Sequence, residues 1–476
     1  MTLAPADRND AARKRRHRNE RIAASALILV LAAGTAGVLL WQKRETDALR
    51  RDQGYIPRVE KITPEILLLQ EYVRIDTSTP AGAAAGARWL VAQLTRRGVR
   101  AEIITSAPDH LNVYARIPGR TPGDGLLLFN HIDVVPPGKP WSLPPFAGKI
   151  ALNMMWGRGT LDMKAMAVCQ LLAFAHVAAS GEKPLHDLVF LATADEETGS
   201  EFGMRWLIAH RPDIFAGVRY GITEGGLTEI MSERMTYFGI ETGSKQLVDL
   251  TVEGPSLRSM QEARFALEPY MFSRDPQRII PVVRQYFRDI APTRTAFGPA
   301  LTDIDATIAR GGFWPLPTSY RDLAQDSLWV TAPLRAGNRW QMTVKMMNLP
   351  DTDPDQRLAW LTGIIAPHGL RIGEVRTKEG PAPVSPDRTP LFALLAAQAT
   401  RSYAVQAGVQ ILFRSTTDSR FLRTRGIICY GVSPYPVDFY QSMTIHHVDE
   451  RIRLDGFMEG IRYMTRVVGE WSGGEA

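Results

Sequence analysis

Apolar and polar residues alternate along most of the chain with two spacings, one typical of helices and one typical of strands. Residues 83–96 and 163–179 have the helical spacing. Short extended or apolar runs of strand length lie at 99–104, 111–117, 126–129 and 188–192. Helical segments that alternate with such strands predict an α/β domain, in which helices cover the faces of a sheet.

The pattern changes after residue 226 and returns near residue 381. In the intervening part, polar and proline-containing connections separate predicted strands at 247–252 and 340–346. The later part has a predicted helix at 391–400, a strand at 427–432 and a closing helix at 454–468. We therefore predict two halves of one α/β domain, residues 63–245 and 377–476, with a second domain at 246–376 inserted between them.

Residues 22–41 form a run of twenty without a charged side chain. A helix of that length, at about 1.5 Å per residue, spans the ~30 Å of a bilayer core. We predict a transmembrane helix at 22–41, between a basic tail at 1–21 and a linker at 42–62. The alternative is a cleaved signal peptide, although the run is long for one and ends in Leu-Leu-Trp instead of a small-residue cleavage site.

The charges that flank this run predict its orientation. A basic cluster at 13–18 precedes it, whereas acidic residues offset the Lys and Arg residues at 43–52. The positive-inside rule then predicts a cytoplasmic N-terminus and an exported body, periplasmic or extracellular.

The net charge of the body argues against nucleic-acid binding. The whole chain has a formal charge of +6, but residues 1–52 hold eleven Lys/Arg against six Asp/Glu, which leaves +1 for the rest. A body this close to neutral has no basic face of the kind that binds phosphates. Cys169 and Cys429 are the only cysteines, so a disulfide framework and a cysteine-based metal site are both excluded.

Residues that can bind metal ions follow two of the predicted strands. Asn130-His131 comes after the strand at 126–129, and Asp195-Glu196-Glu197 comes after the strand at 188–192. Ligands collect beyond the carboxyl ends of strands in open α/β sheets, so we expect both groups at one edge.

The local spacing suggests a role for each of these residues. His131 and Asp133 alternate on an extended strand end, so the carboxylate can hold one imidazole nitrogen while the other binds metal. Asp162 lies in a glycine-bearing turn at a helix start, where two metal ions could share it. Glu196 and Glu197 leave a strand in opposite directions, which predicts one ligand and one general base.

These motifs resemble those of the zinc-dependent family of aminoacylases, carboxypeptidase S, acetylornithine deacetylase and succinyl-diaminopimelate desuccinylase. The family shows H-x-D, G-R-G-x-x-D-x-K, D-E-E, E-G-G and H-x-x-[ND]-E in that order. The chain has them in the same order, at residues 131–133, 157–164, 195–197, 224–226 and 446–450. The stretch Thr417-Asp418-Ser419-Arg420 resembles a later family segment.

The resemblance implies a two-metal hydrolase of the dizinc exopeptidase type, with a mixed sheet and an inserted α+β lid that also forms a homodimer. It implies two Zn²⁺ ions, with Co²⁺ or Mn²⁺ as alternatives, both bound by Asp162. The remaining ligands would be His131 and Glu224 on one ion, and Glu197 and His446 on the other. Glu196 would be the general base and Asp133 would support His131. His446 fits the motif instead of His447, because Asp449 and Glu450 follow it at the required spacing.

The inserted domain departs from the family pattern. Where the family has a histidine in G-x-x-G-H-S that reaches the active site, this chain has Arg258. Arg258 could replace it as an oxyanion donor, or Arg335 and Arg339 could hold a substrate carboxylate, but all three are equally compatible with ordinary surface arginines. Arg420, within the matching segment, is the other expected substrate contact.

Two functional hypotheses follow. The first is hydrolysis of an amide bond in a small peptide or an N-acyl amino acid, with Glu196 as the base. The second is a metal-binding scaffold protein whose degenerate lid no longer supports catalysis. The retention of Glu196 favours the first, since a scaffold has no use for a base.

Overall fold

The computed structural model describes residue 59 and residues 61–473, except 232–233, 272–276, 295, 312–315, 317, 382, 413–415 and 438. Contacts within the chain divide it at residue 55, and the described residues all belong to the second unit, Ile56–Ala476. The predicted basic tail at 1–21 and transmembrane helix at 22–41, with most of the linker, lie outside the described residues.

The helices are numbered here in chain order. They are α1 Pro64–Val73, α2 Pro80–Arg96, α3 Ala165–Ala179, α4 Met204–His210, α5 Leu257–Met271, α6 Pro281–Ile290, α7 Gly298–Thr302, α8 Ile304–Ala309, α9 Thr318–Asp322, α10 Pro354–Ile365, α11 Pro390–Tyr403, α12 Ser419–Arg423, α13 Phe439–Ser442 and α14 Leu454–Trp471.

The strands are numbered in the same way. They are β1 Glu102–Ala107, β2 His110–Ile117, β3 Gly125–His131, β4 Lys149–Ala151, β5 Met154–Trp156, β6 Leu188–Thr193, β7 Val218–Thr223, β8 Thr228–Met231, β9 Arg234–Ser244, β10 Gln246–Gly254, β11 Ser327–Val330, β12 Leu334–Ala336, β13 Arg339–Asn348, β14 Arg371–Lys378, β15 Gln406–Leu412, β16 Ile428–Gly431 and β17 Arg451–Arg453.

The first sheet is mixed, as predicted. Within the described residues it has nine strands in the order β1-β2-β6-β3-β7-β16-β9-β15, with β8 beside β9. The centre is parallel, because β3 pairs in parallel with β6 and β7, and β7 with β16. The β1-β2, β2-β6 and β8-β9 pairs are antiparallel. Every residue of β3 and β6 is buried, which explains their continuous apolar sequences.

Three helices of this domain begin in the same way. Thr63, Thr79 and Thr389 each precede a proline, and each threonine hydroxyl accepts a hydrogen bond from a backbone N–H of the first turn. Proline at the first helical position lacks only an N–H that would have no partner within the helix. This Thr-Pro pair therefore fixes the starts of α1, α2 and α11.

Helix α3 is the central helix of the core, and apart from Leu172, His176, Ala178 and Ala179 its residues are buried. Among the described residues, the stretch Thr160–Ala179 is long and apolar enough to cross a membrane, but 78% of its apolar window is buried within the protein. Burial among other elements accounts for its apolar composition.

The second sheet is built from the inserted part of the chain. In the described residues it consists of β11-β13-β10-β14, with β12 beside β13, and all of these pairs are antiparallel. Helices α5 and α10 contribute to its separate apolar core. The chain leaves the first sheet after β9 and returns to it at β15, so the strands of the second sheet lie between those of the first in the sequence.

Part of the insertion packs against the first sheet instead of the second. Residues of α6 to α9, among them Val283, Tyr286 and Leu301, belong to the core of the first sheet. Glu229 of β8 fastens this segment through an ion pair with Arg294 and a hydrogen bond from the Tyr286 hydroxyl. The sequence pattern did not predict this second contact between the insertion and the α/β domain.

The strand predicted at 99–104 begins three residues later than expected. Gly98 has φ of 77°, and the N–H of Val99 donates to the carbonyl of Leu94 at 3.0 Å. Residues 98 and 99 therefore close the end of α2, and the chain becomes extended only at Glu102.

Candidate metal centre

The predicted metal ligands come from separate parts of the chain. His131 is the last residue of β3, Glu197 lies in the turn after β6, and Glu224 directly follows β7. Strands β6, β3 and β7 are adjacent and parallel, so their carboxyl ends meet at one edge of the sheet. Asp162 lies in the turn before α3, and His446 lies in the segment before β17.

The structure brings these five side chains together in two groups. Their ligand atoms lie within 4.8 Å of one another in each group, His131-Asp162-Glu224 and Asp162-Glu197-His446. One carboxylate oxygen of Asp162 is 3.0 Å from Nε2 of His131, and the other is 2.9 Å from Nε2 of His446. Asp162 is therefore common to both groups, the geometry that a bridging carboxylate requires.

The chemistry of both groups fits divalent metal ions. Imidazole nitrogens and carboxylate oxygens are ligands that Zn²⁺ accepts. Oε1 of Glu197 is buried without a hydrogen-bond partner. Burial and the nearby charge of Asp162 raise the pKa of Glu224 to about 8. A cation at this position would give the unpaired Glu197 oxygen a partner, and its positive charge would stabilise the ionised form of Glu224.

His131 is oriented by the backbone of Asp133. Its Nδ1 lies 2.9 Å from the Asp133 carbonyl oxygen, whereas the Asp133 carboxylate is 3.6 Å away. A proton on Nδ1 leaves the lone pair of Nε2 free for a metal ion. The Asp133 carboxylate is thus within ion-pair distance of the imidazole, and the carbonyl oxygen of the same residue lies closer to it.

The Asp133 carboxylate instead holds the turn that carries the acidic pair. It accepts hydrogen bonds from the backbone N–H groups of Glu196 and Glu197, both at 3.1 Å. Asp133 therefore fixes the positions of the predicted base and of one predicted ligand at once.

Glu196 is nearly buried beside the two ligand groups but belongs to neither of them. Burial raises the pKa of its carboxyl group well above the usual range, and the charges of Asp418 and Glu224 add to this, while His131 and Arg420 oppose it. A raised pKa favours uptake of a proton, as a general base requires.

Arg420 lies between Glu196 and a second glutamate. Its Nη1 is 3.7 Å from Oε1 of Glu196, and its Nε is 2.9 Å from Oε1 of Glu379. The side chain is 9% exposed, and Nη1 is buried without a hydrogen-bond partner. Nη1 of Arg420 thus lies near Glu196, and the predicted contact of Arg420 with substrate stays a prediction.

Glu450 is a residue of the site whose role the sequence did not reveal. It is fully buried, pairs with Arg158 at 2.7 Å, and accepts the backbone N–H groups of Gly159 and Leu161 at 2.9 and 2.7 Å. Its other contact is the N–H of Asp162 at 3.2 Å. The final motif therefore clamps the turn that presents Asp162, which explains why a glutamate follows His446 at fixed spacing.

Lys164 fastens the other end of this turn. Its buried Nζ donates to the carbonyl oxygens of Tyr72 and Ile75, at 3.2 and 2.6 Å, and burial lowers its pKa to about 7. The lysine of the G-R-G-x-x-D-x-K motif is therefore a structural residue that ties Asp162 to the end of α1.

Substitution of Glu450 by Gln should destabilise the fold strongly. The buried guanidinium of Arg158, which is 1% exposed, would lose its charge partner. Loss of one member of a buried ion pair costs about 3–5 kcal/mol. We expect this loss in urea denaturation, whereas Asp124→Asn, which breaks the exposed pair with Arg219, should cause a much smaller change. Equal losses in the two variants would contradict this role of Glu450.

The arginines considered in the insertion lie on the surface. Arg258 is 89% exposed at the start of α5 and pairs with Glu262 at 2.9 Å. Arg335 and Arg339 are exposed on the β12-β13 hairpin. In the described part of the chain, none of the three lines the cavity beside the metal ligands. Their predicted contacts with substrate stay predictions.

A cavity of about 360 Å³ opens beside the two ligand groups. Its lining includes the predicted base and four of the five predicted ligands, Glu196, Asp162, Glu197, Glu224 and His446. The remaining described lining residues are Leu161, Met166, Gly225, Leu227, Leu412, Thr416, Thr417, Val432, Ser433, Tyr435, Ser442, Met443, Ile445 and His447. Its size is that of a site for a small molecule.

Comparison with protein families gives a match over most of the chain. The model of the family described as "Peptidase family M20/M25/M40" matches residues 127–470. Succinyl-diaminopimelate desuccinylase of Rhodopseudomonas palustris (strain BisA53) is 38% identical over 144 residues, which is 28% of this chain and 36% of that protein. The enzyme of the same name from Methylorubrum extorquens (strain PA1) is 36% identical over 139 residues, 28% of this chain and 35% of that protein. The chain thus spans about a third of the length of the curated relatives it matches.

Solved structures share the fold over almost their whole length. An M20 family metallo-carboxypeptidase from Sulfolobus solfataricus has a TM-score of 0.66 at 17% identity, with 86% of this chain and 99% of that chain covered. Human carnosine dipeptidase 1 has a TM-score of 0.64 at 13% identity, with 86% and 97% covered. At these sequence identities, the similarity is evidence of a shared fold alone.

Proposed function

Because the chain belongs to the peptidase family M20/M25/M40, we propose that it is a metal-dependent hydrolase that cleaves an amide bond in a small peptide or an N-acyl amino acid. The relatives named above include desuccinylases, a metallo-carboxypeptidase and a dipeptidase. We propose that the reaction uses two metal ions, with Zn²⁺ as the first candidate.

The observation that carries this proposal is the shared position of Asp162. Asp162 belongs to two sets of predicted ligands, while Glu196, a carboxylate outside both sets, lies nearly buried beside them. A structural metal site needs a closed set of ligands, whereas a hydrolase needs an additional base next to the metal ions.

Each residue of the site has a separate role in the proposed hydrolysis. When bound, the metal ions supply a water of lowered pKa and positive charge against the developing oxyanion. Glu196 takes the proton of the attacking water and passes it to the leaving amine. Arg420 donates from Nη1 to an oxygen of the substrate, and Asp133 keeps Glu196 in place through its backbone N–H.

A substrate panel tests the proposal. The full chain, purified in mild detergent and loaded with Zn²⁺, should hydrolyse at least one member of a set of dipeptides and N-acyl amino acids, and a chelator should abolish this activity. Metal analysis of the same sample shows whether the site is loaded. A sample that holds two metal ions and cleaves nothing in a broad panel would count against the proposal.

The alternative of a metal-binding scaffold makes a different prediction for Glu196. A scaffold would keep its cellular role after Glu196→Ala, provided that fold and metal content persist. The buried position of Glu196, with backbone hydrogen bonds that fix its turn, favours the enzyme.

We further propose that residues 22–41 anchor the protein in a membrane, with the N-terminus in the cytoplasm and the catalytic body exported. The uncharged run and the basic cluster before it support this. The full chain should then stay in the membrane fraction after alkaline carbonate extraction, and protease added from the outer side should digest the body. Release of the chain by carbonate would contradict the anchor.

A homodimer through residues 246–376 is the last part of the proposal. Sedimentation of the detergent-solubilised chain measures its mass, and a monomer at micromolar concentration would exclude this dimer.

A further inference from the structure

The cavity beside the metal ligands has an apolar wall whose shape is fixed by the core. Leu161, Met166, Val432 and Tyr435 line it and are at most 7% exposed. Met166 belongs to α3 and Val432 directly follows β16, so both are held by regular elements of the first sheet domain. All four belong to the main apolar core, which leaves them little freedom to rearrange around a different ligand.

The rim, taken as the partly exposed lining residues, combines apolar and polar side chains. Leu227 and Ile445 are half-buried, and Met443 is 47% exposed. The polar residues of the rim are Thr416, Ser433, Ser442 and the exposed His447. A methionine with this exposure, next to the predicted base and ligands, leaves apolar surface in water unless a ligand covers it. Apolar side chains thus occur in both the buried and the exposed part of the lining.

The charged side chains of the described lining belong to the predicted metal centre. Among the described lining residues there is no lysine or arginine, and the acidic ones are the predicted ligands and Glu196. The other polar lining residues are Thr416, Thr417, Ser433, Ser442 and His447. Arg420 lies outside this lining, between Glu196 and Glu379. A negatively charged group in the apolar part would lose its water and meet no lysine or arginine among the described lining residues.

We propose, on the basis of the proposed amide hydrolysis, that this cavity binds the group beside the scissile amide and selects an uncharged, apolar one. The substrate would then carry a medium-length aliphatic chain or a single aromatic ring, as an acyl group or as an amino-acid side chain. A succinyl group, whose free carboxylate would lie in the apolar part, is a poor fit. The inference thus separates this chain from the desuccinylases that it resembles in sequence.

Two series of substrates test this with the full, Zn²⁺-loaded chain. The first varies the acyl group on one amino acid from acetyl to butyryl, hexanoyl and succinyl. The second keeps the acetyl group and varies the amino acid from glycine to leucine, phenylalanine and aspartate. One methylene in an apolar pocket changes kcat/KM by roughly tenfold or more. In one of the two series, kcat/KM should rise at least tenfold from the smallest to the largest apolar substrate. For the charged substrate of that series, kcat/KM should be lower than for the smallest apolar one.

A substitution at the rim tests whether the cavity determines this preference. Met443→Arg places a positive charge at the exposed rim, so it should reduce the preference for the apolar over the charged substrate at least tenfold. Leu334→Arg, at a position 71% exposed on β12 of the second sheet, is the matched control and should leave the preference unchanged.

The outcomes separate this inference from the proposed function. If the unaltered chain cleaves charged and apolar substrates equally well, the selectivity is wrong while amide hydrolysis stands. A preference that Met443→Arg leaves intact would mean that another surface selects the substrate. No cleavage by a chain that holds two metal ions would overturn the proposed function itself.

Discussion

Substitution of Glu196 by Gln is expected to lower kcat by about 100- to 10,000-fold, the contribution typical of a positioned general acid or base. Glutamine has nearly the same shape, so it can occupy the same position after β6, but its amide cannot take a proton from water. The side chain is nearly buried, which leaves bulk solvent a poor substitute as the proton acceptor.

Metal content distinguishes a base from a ligand in this experiment. Glu196 lies outside both ligand groups, so the Glu196→Gln chain should still bind two metal ions and unfold at an unchanged temperature. Glu201→Gln, an exposed glutamate in the segment after this turn, is the control and should keep full activity. A Glu196→Gln variant with a kcat within tenfold of the original would exclude Glu196 as the base, and loss of a metal ion would make it a ligand.

Two of the five predicted metal ligands could be proposed from a local signal in the sequence. His131 and Glu197 follow apolar runs, and the strands formed by such runs end at one edge of the sheet. This rule of α/β folds turns separate positions in the sequence into neighbours in space. Asp162 and His446 required the resemblance to a family, since a turn and a loop carry no comparable rule.

The groups that support the ligands could not be predicted in the same way. Glu450 contacts Arg158 across 292 positions of sequence, and Glu379 contacts Arg420 from the end of β14. Glu450 is fully buried and the side chain of Glu379 is 10% exposed. A sequence does not reveal such burial for a charged residue, because most charged residues are exposed. Only the folded backbone shows which buried charges face each other.

The predicted proximity of Asp133 and His131 is found in the structure, with the carbonyl oxygen of Asp133 nearer to the imidazole than the carboxylate. The alternation along a strand end brought His131 and Asp133 to the same side, and the contact exists through the carbonyl oxygen. The carboxylate is used elsewhere because the backbone N–H groups of Glu196 and Glu197 need an acceptor in their tight turn. Such competition among acceptors depends on the turn after β6, whose geometry the spacing of residues does not determine.

The fold was predicted best where its elements are long and apolar. Helix α3 and strand β6 differ from the expected ranges by at most two residues. Helix α6 has a helical period, since its buried residues Val283, Tyr286, Phe287 and Ile290 lie on one face. The period does not show which sheet that face packs against, and the contacts of Glu229 with Arg294 and Tyr286 that fasten the segment to the first sheet leave no periodic pattern in the sequence.

Substitution of Asp162 by Asn is expected to reduce the binding of both metal ions, and hydrolysis with it. Burial by itself would raise the pKa of the Asp162 carboxyl group, but hydrogen bonds from His131 and His446 hold it well below its usual range. The carboxylate is therefore charged and shared, with one oxygen 3.0 Å from the first imidazole and the other 2.9 Å from the second. Asparagine has the same shape but is neutral and offers a single acceptor oxygen.

Single-site variants are the matched comparison for this prediction. Glu224→Gln and His446→Ala each alter one ligand group, so each should lower the affinity of one metal ion and leave the other bound after dialysis. Asp162→Asn should leave neither bound, with losses in affinity beyond the roughly 10- to 100-fold typical of a residue that only supports a ligand. Metal analysis after dialysis, with melting temperatures measured with and without Zn²⁺, gives the occupancies, because a metal ion that binds only the folded chain raises its stability. An Asp162→Asn chain that retains one tightly bound ion would show that Asp162 serves a single ion, and the shared position of its carboxylate would then have a purely structural origin.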